Sequence, residues 1–296
     1  MTELVEAQIL RLVEAVGYDE VPRLFKTLAG GKRLRAKLVM KIAKEVPEAP
    51  LLGAIIELIH AASLLHDDVI DDADLRRGVP SVNATEGSKT AVMLGDILYS
   101  KAFSSLAAFD RDVARCVADA VTALSVGEMQ DVRMADVFND DAERYLGMLY
   151  NKTASLIEAS AKGAALLAGK DADRYALYGR NLGLAFQIID DILDIVSDEA
   201  TLGKPAMNDF VEGKCTLPYI YLYEALDDAG KARLKANHAK RLDTEESAWV
   251  KSRLEAHRCV EKSYALARRL SDEAVAAVPD EPELAAVIES MMERRF

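Results

Sequence analysis

Cysteine is scarce. Cys116, Cys215 and Cys259 are the only three in 296 residues, far apart and odd in number, which argues against a disulfide framework or a thiolate zinc site and for free thiols in a reducing cytoplasm. Aromatic residues make up only 6% of the chain and sustained strand-like alternation is missing, so β-rich architectures are disfavoured. Net positive charge is absent as well. With 37 Lys and Arg against 49 Asp and Glu the formal charge is −12, which disfavours general attraction to nucleic acid or to an anionic lipid surface. No uninterrupted apolar run approaches the roughly 18 residues of a membrane span. The opening MTELVEAQILRLVEA mixes acids into an apolar periodicity, where a secretory signal would carry a basic start and a small-residue cleavage site. A cytoplasmic protein with no transmembrane segment is expected, and any anionic substrate would need local cations or metal.

Proline is missing from the whole stretch between Pro80 and Pro205, which is rich in Ala, Leu and other good helix formers. Apolar residues recur at helical spacing, as in Leu51, Ile55, Leu58, Ile59 and Ala62. Helices are predicted at 3–15, 34–46, 50–71, 88–108, 111–134, 140–169, 171–197, 216–227, 229–240, 245–277 and 281–294. No linker or low-complexity run divides the chain. The expected fold is all-α, one large bundle over residues 1–296, with ligand sites built from side chains on facing helices.

Two carboxylate clusters stand out. In LLHDDVIDDADLRRG, Asp67 and Asp71 are four residues apart, just over one helical turn, and so share a face. In AFQIIDDILDIVSD, Asp190 and Asp194 repeat the design. Both sit on otherwise apolar helices. Carboxylates this close repel one another and resist desolvation, so a core helix tolerates them with cations or open water nearby. Mg²⁺ suits such sites, because it takes oxygen ligands, keeps several waters and joins carboxylates to substrate phosphates. Two facing acidic walls could hold metals between them.

Cations are supplied in short strings. GGKRLRAK places Gly30 and Gly31 before Lys32, Arg33 and Arg35 at a predicted helix start, which taken alone reads as a solvated basic helix start or as a phosphate seat. Arg76 and Arg77 directly follow the first cluster, with salt bridges to Asp72 or Asp74 as the alternative use for them. Lys152 and Thr153 interrupt a long apolar helix, Gly203 and Lys204 lie just past the second cluster, and Lys214 follows in EGKCTLP. His60 precedes Asp67 by seven residues, two turns back on the same face.

Taken in order, GGKRLR, HDDVIDDADLRRG, NKTASL, FQIIDDILDIVSDEATLGK and GKCTLP resemble the trans-isoprenyl diphosphate synthase (polyprenyl synthetase) family, most of all its medium- and long-chain members. The resemblance implies long helices around a deep cavity, usually in a homodimer. It implies that Asp67, Asp71, Asp190 and Asp194 hold Mg²⁺, with Mn²⁺ as a possible substitute. Lys32, Arg35, His60 and Arg77 fall where the family binds isopentenyl diphosphate. Arg76, Lys152, Thr153, Gln187 and Lys204 fall where it holds the allylic diphosphate. One departure is visible, since Ala36 stands where the family commonly has proline, a change that bears on loop rigidity more than on chemistry.

A class I terpene cyclase would be expected to replace DDILD by an Asn/Asp, Ser/Thr, Glu triad. A phosphohydrolase reading of His66–Asp67, or a di-iron reading of Glu57 and His60 in ExxH spacing, lacks its second half, since only four histidines exist. A non-catalytic prenyl-diphosphate-binding subunit is the rival from another class, and intact carboxylates on both helices count against it. Ala62 and Ser63 offer little bulk before the first cluster, where similar synthases of short products typically carry an aromatic floor. Together with the plain DDVID spacing, this predicts a product longer than C20, with a geranylgeranyl or farnesyl diphosphate synthase as the alternative.

Overall fold

The structure, a computed structural model, describes residues 2–28, 30–196 and 207–293. The described residues are predominantly helical, as the long proline-free stretch between Pro80 and Pro205 favours. By its internal contacts the chain divides into two compact units, Met1–Thr122 with Leu156–Ala176, and Ala123–Ser155 with Leu177–Phe296.

The first unit is organised on α4 (Ala49–Ile70), which packs against α1 (Thr2–Glu14), α3 (Leu34–Ile42) and α6 (Ser88–Leu106). Pro50 in its first turn fits a position whose N–H has no helical partner. Leu52, Ile55, Ile56, Leu58, Ile59 and Leu65 are wholly or almost wholly buried, each stabilising the unit by about 1.5–3 kcal/mol. By length and hydropathy α4 is also long and apolar enough to cross a membrane, and 67% of that span is buried inside the protein. Glu57 and His60 interrupt the apolar run without lowering its average much. Also in this unit are α2 (Glu20–Phe25), α5 (Val82–Glu86), which Ser81 caps by accepting the Ala84 N–H at 3.0 Å, and most of α9 (Ser155–Leu167).

Strands β1 (Leu75–Arg76) and β2 (Val79–Pro80) form a two-residue antiparallel hairpin, with Leu75 opposite Pro80 and Arg76 opposite Val79. Arg77 and Gly78 make its turn at φ of 54° and 76°, the left-handed pair that matches strand twist. Elements this short carry too little periodicity to be read in advance, and the same holds for α2 and α5.

The second unit contains α8 (Ala142–Leu149), α11 (Asn208–Val211), α12 (Leu217–Ala225), α13 (Asp228–Asn237), α14 (Thr244–Ala256), α15 (Cys259–Ala277) and α16 (Pro282–Met292). Asp141, Asp227 and Asp243 cap α8, α13 and α14 by accepting N–H groups of the first turn. Phe210 stacks on Tyr219 at 4.5 Å, and the buried Tyr178 hydroxyl donates to the Leu284 carbonyl at 3.0 Å. Helices α7 (Arg111–Ala135) and α10 (Ala172–Val196) each contribute residues to both units.

Two expected helices are broken. The predicted 140–169 rod has a π-helical segment, Tyr150–Ala154, between α8 and α9. The predicted 245–277 rod is two helices, α14 and α15, separated where Arg258 adopts φ 54°. The predicted 34–46 helix stops at Ile42. The π segment is closely flanked by backbone. A Cβ on Gly127 would lie 2.2 Å from the Lys152 nitrogen, and one on Gly183 would lie 2.6 Å from the Ala154 Cα, so glycine is needed at both places.

Candidate active site

In the first unit the acidic cluster forms the C-terminal end of α4. Asp67 lies half-buried in the last turn, and Asp71, exposed just past the helix, donates its N–H to the Asp67 carbonyl at 2.8 Å. Asp68 is buried and accepts from Arg76 Nε at 2.6 Å. Arg76 is thus tied to Asp68 rather than to Asp72 or Asp74. Carboxylates at the negative end of a helix dipole are unfavourable without positive charge. Asp67 and Asp71 are oxygen donors of the kind a hard divalent cation takes, and among the described residues no group of three or more carboxylate, histidine or cysteine side chains converges on one point.

A cationic cluster surrounds His60, two turns earlier on α4. Arg35, just inside α3, lies in a buried setting beside Arg77, which lowers its pKa to about 10, the opposing pull of Glu57 notwithstanding. Its Nε is buried with no hydrogen-bond partner. Burial, and then the charges of Arg35, Arg77, Arg76 and Arg33, hold the His60 imidazole well below its usual pKa, so the ring is neutral. Arg77 Nη1 donates to the Gly30 carbonyl at 3.1 Å, and a Cβ on Gly31 would come 2.9 Å from the same nitrogen. Lys32 is exposed. Both Arg33 (φ 51°) and Arg77 (φ 54°) are in the left-handed region, where strain in a non-glycine residue tends to mark a functional site. Such a cluster, with a donor left unpaired, is suited to a multiply charged anion.

Ala62 and Ser63 are buried on the same helix, Ser63 Oγ donating to the His60 carbonyl at 2.9 Å. Gly95 of α6 gives His66 its room, since a Cβ there would fall 2.3 Å from the ring nitrogen.

In the second unit Asp190 is half-buried near the end of α10, and Asp194 is buried one turn on. Asp194 Oδ2 accepts the Asp209 N–H at 3.1 Å, and its carbonyl accepts the Met207 N–H at 2.8 Å. It therefore anchors the start of α11. Lys152 sits in the π segment and pairs with Glu128 at 2.9 Å and Asp131 at 2.5 Å. Thr153 Oγ1 donates to Gln187 Oε1 at 3.2 Å, Gln187 Nε2 donates to Asp191 Oδ1 at 3.1 Å, and the Tyr145 hydroxyl donates to Asp191 Oδ2. Burial and the nearby charge of Asp209 push the Asp191 carboxyl well up. Lys214 pairs with Glu212 at 2.9 Å. Lys204 lies outside the described residues.

The structure thus brings Arg35, His60, Arg76 and Arg77 together with the α4 aspartates in one unit. In the other it links Thr153 and Gln187 to the acidic end of α10 through Asp191. Sequence reading missed the partners. Tyr145, Glu128 and Asp131 gave no signal of their own, whereas Asp68 and Asp191 were visible as the second carboxylates of their motifs.

An acidic helix end in each unit and an arginine-ringed histidine on an all-helical scaffold are in keeping with a trans-prenyltransferase of the isoprenoid synthase fold. The chain belongs to the polyprenyl synthetase family, whose family model matches residues 21–255. A short chain isoprenyl diphosphate synthase from Methanothermobacter thermautotrophicus is 38% identical over 218 residues, covering 70% of this chain and 67% of that protein. Octaprenyl pyrophosphate synthase from Helicobacter pylori superposes with a TM-score of 0.93 at 38% identity, covering 99% of this chain and 98% of that one. A polyprenyl synthase from Caulobacter crescentus, complexed with calcium and isoprenyl diphosphate, gives a TM-score of 0.87 at 28% identity, covering 99% of this chain and 94% of that one. Among curated relatives the matched stretch spans 50% to 79% of their own length.

Proposed function

We propose that this chain condenses isopentenyl diphosphate with an allylic diphosphate primer to give an all-trans polyprenyl diphosphate longer than C20, with residues 1–296 acting as one catalytic domain. The carrying observation is the cationic cluster of Arg35 and Arg77 around His60, which stands two turns back from the carboxylate end of α4. One seat takes a diphosphate directly on cations and the other takes it through metal. Isopentenyl diphosphate occupies Lys32, Arg35, His60 and Arg77, and the primer's diphosphate is held by Arg76, Lys152, Thr153, Gln187 and Lys204, with Lys214 as a further substrate-binding residue.

Asp67, Asp71, Asp190 and Asp194 would hold Mg²⁺, or Mn²⁺ in its place, as a hard oxygen donor set does. Bound there, the ions would supply charge stabilisation to the departing pyrophosphate. The C–O bond of the primer breaks with its electron pair leaving on pyrophosphate, and the double bond of isopentenyl diphosphate attacks the allylic carbon. A proton is then lost to the leaving group, and no protein nucleophile takes part. The apolar helix walls keep water from the cation.

The same proposal includes a cytoplasmic homodimer. Support for the dimer comes from exposed apolar side chains, Met93 at 54% and Phe103 at 39% on α6, and Val126, Met129 and Val132 at three-residue spacing on α7. The deciding experiment is pyrophosphate release from isopentenyl diphosphate with a farnesyl primer in Mg²⁺, followed by reversed-phase chromatography of the product. A C20 or shorter product overturns the chain length, and no release overturns the activity.

A further inference from the structure

Glu57 and His60 stand in ExxH spacing, and the two side chains do not act as a metal pair. Glu57 is 3% exposed. Its Oε1 accepts the Ala36 N–H at 3.0 Å and its Oε2 accepts from Arg33 Nη1 at 3.4 Å. Arg33 is held a second time by Glu6 of α1, at 2.7 Å. The start of α3 is thereby fastened to α4 by the buried Glu57 carboxylate and to α1 by the half-exposed Glu6 carboxylate. Arg33 is drawn off to structural partners while Arg35, two residues on, keeps a buried Nε without a partner. The bond to Ala36 is one that a proline there could not make.

Resting on the isopentenyl diphosphate seat proposed above, we infer that Glu57 is the positioning residue of that seat. It touches no substrate. By clamping the Ala36 N–H and claiming Arg33, it fixes the start of α3 so that Lys32 and Arg35 are presented with His60 and Arg77 to the diphosphate.

The sign of a single substitution separates this from a simple field effect. Glu57→Gln removes a negative charge from beside an anion seat, so the field alone would tighten isopentenyl diphosphate. Positioning gives the opposite, because the charged clamp on Arg33 is lost. The experiment is steady-state kinetics of Glu57→Gln with Mg²⁺, varying each substrate in turn, with Arg35→Ala in parallel. The expected result is a KM for isopentenyl diphosphate raised about tenfold, a KM for the farnesyl primer within twofold of wild type, and kcat largely kept. An unchanged or lowered KM for isopentenyl diphosphate, or equal rises for both substrates, overturns the inference, provided that Arg35→Ala raises the isopentenyl diphosphate KM. If Arg35→Ala leaves that KM unchanged as well, the seat itself is misplaced and the positioning role falls with it. Should Glu57→Gln fail to fold, Ala36→Pro carries the test, since it removes the N–H donor that Glu57 clamps, at a place in the first helical turn that accepts proline. A selective rise of about threefold in the same KM is then expected, and no change overturns the inference.

Discussion

Lys152 donates to Asp131 at 2.5 Å and to Glu128 at 2.9 Å. The lysine comes from the π segment and both acids from one face of α7, three residues apart and nearly buried. Without the ammonium those two carboxylates would face each other unscreened. Lys152→Met is therefore expected to destabilise the protein by about 2–4 kcal/mol, in addition to weakening the primer. Urea unfolding followed by circular dichroism measures the first effect, and a loss of stability under about 0.5 kcal/mol would show the ion pair to be inert.

The same segment predicts a steric effect. Alanine at Gly127 would place its Cβ 2.2 Å from the Lys152 nitrogen and 2.6 Å from the Asn151 carbonyl carbon. Backbone, unlike a side-chain tip, has nowhere to go. Gly127→Ala should cost roughly 3 kcal/mol or more and raise the primer KM as Lys152 and Thr153 move. A variant with wild-type melting temperature and wild-type KM would contradict this packing.

Of the four motif aspartates, Asp67 and Asp190 are half-buried, whereas Asp194 accepts the Asp209 N–H. Asp67→Ala and Asp190→Ala should each remove most of the activity while folding survives, since they relieve repulsion rather than delete packing. Asp194→Ala should also lower stability, by about 1–3 kcal/mol, for leaving a backbone donor unsatisfied. Turnover that persists in excess EDTA, or a fully active Asp190→Ala, would refute the metal role, and equal melting temperatures for all three variants would refute the division between them.

The neutral His60 gives a pH dependence with a definite sign. Its folded-state pKa is lowered by burial and by four arginines, so as pH falls through about 6.5 the unfolded chain takes up a proton that the folded chain refuses. Stability is full above that pH and falls below it, by about 1 kcal/mol per pH unit once partial solvent access is allowed for. His60→Gln should remove this slope. Unfolding of wild type and variant at pH 7.5 and 5.5 tests it, and equal slopes would mean that His60 is not held neutral.

Much of this was legible in the residues. The long helices and the placement of both acidic motifs at helix ends followed from apolar periodicity and from the proline-free stretch, because those signals accumulate over many turns. The π segment was hidden, since Tyr150–Ala154 differs from α-helix by a single bond register that no side-chain pattern records. Partner choice was hidden for another reason. Arg33 and Arg35 look alike in GGKRLR, and only the fold gives the first to Glu6 and Glu57 and leaves the second Nε unpaired. Arg76 likewise was expected to pair, if with an acid, with Asp72 or Asp74, and geometry selected Asp68 instead.

Chain length rests on α4. Ala62 is fully buried and lies one turn beyond Asp67 on the side away from the helix end, and Ser63 beside it is also buried. On the proposed reading, a prenyl tail whose diphosphate is held at Asp67 and Asp71 would run back along these turns, and a bulky ring at Ala62 would meet it after a few isoprene units. Because the position is buried, phenylalanine also strains the packing, by about 1–3 kcal/mol, and a melting curve should accompany the product analysis. With a farnesyl primer, wild type is expected to give products longer than C20. Ala62→Phe is expected to give C20 or shorter, with the KM values of both diphosphates within threefold, since neither seat is touched. If the folded variant makes products of unchanged length, the tail does not pass Ala62, and small residues at 62 and 63 serve only to let α4 pack closely against its neighbours.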